Sequence, residues 1–336
     1  MITRTALAWQ HQDWQDSLRT AVRDPAELCR LLQLPEPYVA AAAAAHQDFP
    51  LRVPHAFIDR MNIGDPNDPL LRQVLPIDEE LRPHPGYTDD PIGEQAYNTV
   101  PGLIHKYHGR ALLMVNPACA VHCRYCFRRH FPYQGNNLSP RTRAPAINYL
   151  LADNSISEVI LSGGDPLSST DAFLSDLFTD LLRVPQLRRL RIHSRLPVVI
   201  PERITPELIA LLTETRLHTV LVLHINHPAE LNERLGERLA ALRNAGVLLL
   251  NQTVLLKGVN ESADTLAELS EKLFDYGVMP YYLHLLDPVA GSAHFAIADE
   301  LAIALHKQLK CRLPGYLVPQ LVRDGADRPY KHSPNG

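Results

Sequence analysis

From about residue 110, apolar runs of strand length alternate with amphipathic helices, and this rhythm leaves the chain few folds. Strands are expected at 111–116, 158–161, 190–193, 219–225, 247–255 and 280–286. The helices between them carry their own punctuation. Thr205-Pro206-Glu207 combines a cap, a proline at the first helical position and an acid in the first turn. Gly246 and Gly277 fall where left-handed caps end two helices. Six strand-then-helix units imply parallel strands joined by right-handed crossovers. A doubly wound sheet and a partial barrel both satisfy the pattern. In either, reactive groups gather at the C-terminal ends of the strands.

Residues 1–100 read as an α-rich lead-in. Asp24-Pro25 opens a helix expected to run through Leu32, and the alanines at 40–45 favour another. Prolines clustered between Pro76 and Pro101 suggest an extended linker wrapping the next unit. The 336 residues are 46% apolar and 21% charged, enough for a sizeable core, and the net charge of −4 argues against wholesale nucleic-acid or anionic-membrane binding. No apolar stretch approaches bilayer-spanning length, and residues 1–12 lack a signal-peptide core. The cytoplasm is the expected compartment. Its reducing conditions suit an odd set of five cysteines, three of them crowded together, better than a disulfide framework would.

Those three are Cys119, Cys123 and Cys126, directly after the first strand of the alternating series. Three thiolates leave a zinc ion or one iron of a [4Fe–4S] cluster a ligand short, and an open coordination position is where chemistry happens. The spacing favours a cluster. The alternative is a zinc knuckle with His122 or His130 as fourth ligand. After the second strand of the series comes Ser162-Gly163-Gly164-Asp165-Pro166. Paired glycines allow close backbone approach to a ligand, and Asp165 could receive a cationic amine, though such a run is also an ordinary turn. The paired histidines His224 and His227 suit pocket-shaping hydrogen bonds better than metal, since they have no clear acid partner.

A cysteine triad after one strand and Gly-Gly-Asp after the next resembles the radical S-adenosylmethionine (SAM) superfamily. Cys-Arg-Tyr-Cys-Phe-Arg-Arg at 123–129 is closer still to the lysine 2,3-aminomutases. So are His105-Lys106-Tyr107, Asn251-Gln252-Thr253-Val254-Leu255-Leu256, Pro280-Tyr281-Tyr282, Leu51-Arg52-Val53-Pro54 and the run 68–73. Within that family the chain is most similar to the short bacterial branch that makes (R)-β-lysine for elongation factor P.

The resemblance implies a partial (β/α)6 barrel of the TIM type at 101–315, an α-rich extension at 1–100, and a tail at 316–336. It implies a [4Fe–4S] cluster on the three cysteines, SAM on the fourth iron, and pyridoxal 5′-phosphate (PLP) carrying the substrate L-lysine. Lys331 occupies the place of the family's PLP lysine, although Gly-Ala-Asp-Arg-Pro-Tyr replaces the usual glycine-rich run before it. Arg110 and Gln252, with Asn251 beside it, match phosphate contacts. Lys106 stands in for a family arginine and loses its planar fork. Tyr107 packs near the pyridine ring, and Tyr125 near the SAM adenine, with Gly163, Gly164 and Asp165 also on the cofactor side. Arg128 matches the clamp for the substrate carboxylate, and Arg129 is a structural neighbour. Asp287 and Asp324 match the acids that hold the distal ammonium.

The implied partners are a one-electron reductant such as flavodoxin or ferredoxin and a separate ligase that attaches β-lysine to elongation factor P. A homo-oligomer with reduced contacts is expected. Ser262 stands where longer relatives carry a zinc cysteine, so no structural zinc is expected. Three other readings compete: a lysine aminomutase serving general lysine metabolism, a radical SAM enzyme without PLP, and a non-catalytic metal-binding scaffold.

Overall fold

The computed structural model describes residues 13–326 and 328–334. The signal-peptide reading of residues 1–12 lies outside them. Nine strands form one sheet in the order β1-β2-β3-β4-β5-β6-β7-β8-β9. They are β1 Asn98–Val100, β2 Leu103–Tyr107, β3 Arg110–Asn116, β4 Glu158–Gly163, β5 Arg189–Ser194, β6 His218–His224, β7 Leu248–Val254, β8 Met279–His284 and β9 Gln320–Val322. From β3 to β9 all pairings are parallel, while β1 and β2 form an antiparallel edge.

Spatial order therefore equals chain order. A doubly wound sheet reverses its order at a switch point, and this sheet never does. That decides for the partial barrel over the other architecture the rhythm allowed. The six expected strands are β3 to β8, each within two residues of its expected ends.

The helices Pro140–Ala152, Asp171–Leu182, Pro206–Thr213, Glu233–Asn244, Ala263–Asp275 and Asp299–Arg312 fill the six crossovers. Five begin with a side-chain cap, from Ser139, Thr170, Thr205, Asn232 and Ser262. Each cap satisfies an amide that the helix itself leaves unpaired. Ser262 Oγ thus accepts from Thr265 N. Helices outside and a lumen inside bury both faces of β4, which is why Val159, Ile160 and Leu161 are apolar in succession.

The N-terminal extension folds onto the barrel. Asp24 caps the helix Pro25–Leu31 as its sequence suggested, and Glu36–Asp48 carries the alanine run. Leu28, Leu51, Phe57, Leu70 and Leu71 share one core with Leu113, Leu161, Ile192 and Leu223. At the other end, β9 joins β8, and an antiparallel bridge from Arg323 to His332 folds the tail back. Among the described residues no helix is long and apolar enough to cross a membrane.

Candidate active site

The cysteine loop leaves the C-terminal end of β3 and is held from two sides. The extension grips its outer face: His122 N donates to Arg52 O at 3.0 Å and Arg124 N to Gln73 O at 2.9 Å. Arg124 sits between the second and third cysteines and forks onto Glu80 at 2.8 and 2.6 Å. Arg129 reaches the same carboxylate at 3.0 Å, and all three side chains are fully buried.

On the inner side stands the glycine pair. A Cβ on Gly164 would lie 2.6 Å from Pro117 O, and one on Gly163, at φ +122°, 2.9 Å from Asn116 O. Gly164 N donates to Asn116 O at 2.7 Å, and Asp165 N to Ala118 O at 2.9 Å. The glycines are needed because the cysteine loop passes directly over them.

Asp165 corrects one expectation. Its carboxylate accepts from Leu167 N, Ser194 Oγ, Arg195 N and Leu196 N at 2.7–3.0 Å. Four donors fill a carboxylate, so Asp165 ties β4 to the β5 turn instead of presenting an oxygen to a ligand amine. Asn251 is corrected likewise. Its amide bonds both N and O of Ile225, at 2.9 and 3.0 Å, which locks β7 to the end of β6.

His122 pairs with Pro50 O through Nδ1 and stacks on Phe49, and His130 Nε2 contacts Ala290 O. Among the described residues no three His, Cys, Asp or Glu side chains form a cage for a single ion. A cubane places its cysteines on different irons, so its thiols stand farther apart than those of a one-ion cage. The loop's three thiols are all partly exposed. Desolvation raises the Cys126 thiol to about 11.

A buried polar network underlies the loop, and the sequence did not announce it. Arg195 Nη1 donates to Cys123 Sγ at 2.8 Å, and its Nη2 to Gln73 Oε1 and Glu230 Oε2 at 2.7 and 3.0 Å. Arg195 also bonds the Tyr125 hydroxyl, which accepts from Asn226 Nδ2 at 2.6 Å as well. Tyr125 thus has its hydroxyl anchored and its ring edge-on to Phe295.

His193 is the penultimate residue of β5, and His224 and His284 end β6 and β8. Burial holds all three below the usual imidazole range, His224 at about 3, so they are neutral. Gln252 Nε2 meets His224 Nε2 at 2.8 Å. His193 Nε2, His284 Nε2 and Asp287 Oδ1 are buried without a partner. Desolvation lifts the Asp287 carboxyl to about 7, with the Lys331 charge opposing.

The tail closes this space. Arg323 forks onto Asp299 at 2.8 and 2.6 Å, and Lys331 Nζ donates to Asp324 Oδ2 at 2.6 Å. Asp324 Oδ1 accepts from Tyr107 at 2.6 Å and Lys106 at 3.0 Å. Arg110 stacks on Tyr107 at 4.6 Å. Asp324 thereby fastens the segment after the last strand to the first hairpin, bridging the open side of the barrel.

Arg128 points inward from the cysteine loop. Its Nε and Nη2 fork onto Glu94 at 2.7 and 2.6 Å, and Nη1 donates to Ser162 Oγ at 2.9 Å. Arg128 and Lys331 both act on His193, Lys331 and Asp324 both act on Asp287, and Gln252 joins this group through His224. Glu94 and Glu80, which hold the arginines in place, lie in the stretch whose prolines suggest an extended linker.

A sheet whose strands run in chain order, with three cysteines on the loop after its first parallel strand, defines a radical SAM enzyme. Residues 113–270 match the radical SAM superfamily. L-lysine 2,3-aminomutase of Escherichia coli (strain K12) is 50% identical over 321 residues, covering 95% of this chain and 94% of that protein. The Haemophilus influenzae protein of the same name is 48% identical, covering 96% and 95%. That of Clostridium subterminale is 35% identical, covering 93% of this chain and 75% of its own length. The chain belongs to the L-lysine 2,3-aminomutase family and is an isomerase.

Membership implies a [4Fe–4S] cluster, SAM and PLP. The site fits them. The cysteine loop offers three thiols, Lys331 offers an amine at the lumen, and the orphaned nitrogens of His193 and His284 mark polar space for a bound ring or substrate.

Proposed function

We propose that this enzyme converts (S)-α-lysine to (R)-β-lysine, with PLP carried on Lys331. One observation carries the reading. The Lys331 charge acts on the otherwise unpartnered acid Asp287 and, together with that of Arg128, two residues after Cys126, on the neutral His193. When bound, the cluster and SAM supply hydrogen-atom chemistry, and PLP supplies a π-system conjugated to the migrating nitrogen.

The chain's residues supply orientation. Arg128 takes the substrate carboxylate, for which a guanidinium is suited. Asp287 takes the distal ammonium. Asp324, which holds Lys331 Nζ through Oδ2, would be the second acid at that pole. Two fixed poles leave the carbon chain between them in one register. Arg110 and Gln252 are the donors for the PLP phosphate, and Tyr107 carries Arg110 on its face. The neutral histidines add no positive charge of their own beside Asp287.

We further propose that a flavodoxin- or ferredoxin-like reductant supplies the electron and that the product is passed to a ligase that modifies elongation factor P. Near-complete mutual coverage with the E. coli and H. influenzae relatives, against partial coverage of the longer clostridial one, supports placement in the short branch. General lysine metabolism is the alternative destination. Impaired translation of proline runs on loss of the gene separates the two. For PLP itself, borohydride reduction of the loaded enzyme followed by peptide mapping should place the pyridoxyl group on Lys331. Label on another lysine, or none, would contradict the assignment.

A further inference from the structure

The Arg128–Glu94 pair is built more firmly than a carboxylate clamp alone requires. Both side chains are nearly buried, at 7% and 8% exposure. Burial lowers an arginine's affinity for its proton, but Glu94's charge and hydrogen bonds more than offset it and hold Arg128 above its ordinary value. A buried ion pair gives little net stability over an apolar pair of the same size, so its fixed geometry is the more informative feature.

That geometry is asymmetric. Glu94 takes the Nε–Nη2 edge of the guanidinium. Ser162 takes one Nη1 hydrogen at 2.9 Å. The Nη1–Nη2 edge retains only a long contact of 3.4 Å to Gly163 O. One edge of the fork is anchored, and the other is the weakly used one.

The turn that carries Glu94 is fixed on several sides. Its amide donates to Asp90 Oδ1 at 3.0 Å. Lys106 Nζ donates to Ile92 O at 3.0 Å, and Tyr97 OH to Ala326 O at 3.0 Å. A Cβ on Gly93, at φ +65°, would lie 3.0 Å from Ala326 Cβ. The segment that carries Glu94 is therefore packed against the tail that carries Asp324 and Lys331.

We propose that Glu94 is a positioning residue for substrate binding: it locks Arg128 so that the Nη1–Nη2 edge is presented to the lysine carboxylate. This rests on the reading of Arg128 as the carboxylate clamp. Glu94 stays in place when substrate binds, and the weak Gly163 contact yields.

The test compares lysine with lysinamide, which lacks the carboxylate charge, in the reconstituted holoenzyme. KM and kcat are measured for lysine, and inhibition constants for lysinamide. Glu94→Gln should raise KM for lysine by about ten- to a hundredfold, the usual cost of losing the outer partner of a ligand, with kcat within about twofold. Lysinamide affinity, pyridoxal absorbance and iron content should stay unchanged. Glu94→Asp should fall between, and it decides the matter if the Gln variant does not fold. Unchanged lysine KM in the folded variant, or an equal loss for lysine and lysinamide, would overturn the proposal. Arg128→Met tests the underlying reading separately: if it does not narrow the preference for lysine over lysinamide, the clamp assignment itself fails.

Discussion

Lys331 Nζ lies 2.6 Å from Asp324 Oδ2, while the other oxygen of Asp324 is taken by Tyr107 and Lys106. One carboxylate therefore counters two lysines, and burial's upward pull on it is overcome, chiefly by Lys331. Replacing Lys331 with Ala should abolish pyridoxal absorbance and cut turnover by about a thousandfold or more, the scale expected when a covalent anchor is lost. Absorbance and activity assays on one preparation check this, and iron content should not change.

Asp287 sets a pH dependence. Burial raises its carboxyl to about 7, so it is charged only above that value. Lysine binding needs the charge, and kcat/KM should therefore rise with pH through about 7. Asp287→Asn should flatten this limb and raise KM. In the substrate-free protein the sign for stability is opposite. The unfolded carboxyl loses its proton near 3.9 and the folded one later, so this group's contribution falls as pH rises between those values. Denaturation of wild type and Asp287→Asn across that range reads the difference.

The glycine beneath the cysteine loop should be intolerant. Gly164→Ala would put a methyl 2.6 Å from Pro117 O, between two backbones that cannot both yield. A loss of about 1–3 kcal/mol is expected from overpacking, together with lower iron per chain. Calorimetry and iron analysis after anaerobic reconstitution check both.

Glu80 is the shared partner of Arg124 and Arg129. Glu80→Ala leaves buried Arg124 without its acid and Arg129 with only Asp48 at 3.4 Å, and should cost about 3–5 kcal/mol. Hydrogen exchange should localise the loosening to residues 119–131 and to the extension that grips them.

Much of this architecture was legible in the sequence, because the signals that specify it are local. Thr205-Pro206-Glu207, Gly246 and Gly277 each mark a helix end through chemistry within a few residues. The strands that escaped notice are β1, β2 and β9, short edge segments whose existence depends on a partner elsewhere in the chain. The cysteine loop could be read for the same local reason. Its supports could not be. Glu94 meets Arg128 from 34 positions away, inside a stretch whose prolines suggested only a linker, and Gln73 meets Arg195 from 122 away. Asp165 and Asn251 looked like ligand groups because an exposed and a saturated side chain spell the same in sequence; only the count of donors around them separates the two.

The most direct measurement is turnover of labelled (S)-α-lysine by the anaerobically reconstituted enzyme with SAM, PLP and a reductant, followed by chiral separation of the β-lysine formed. The account predicts (R)-β-lysine from the wild type and none from Lys331→Ala or from a serine variant of any of the three loop cysteines. SAM cleavage with lysine left unrearranged, or β-lysine formed without Lys331, would contradict it.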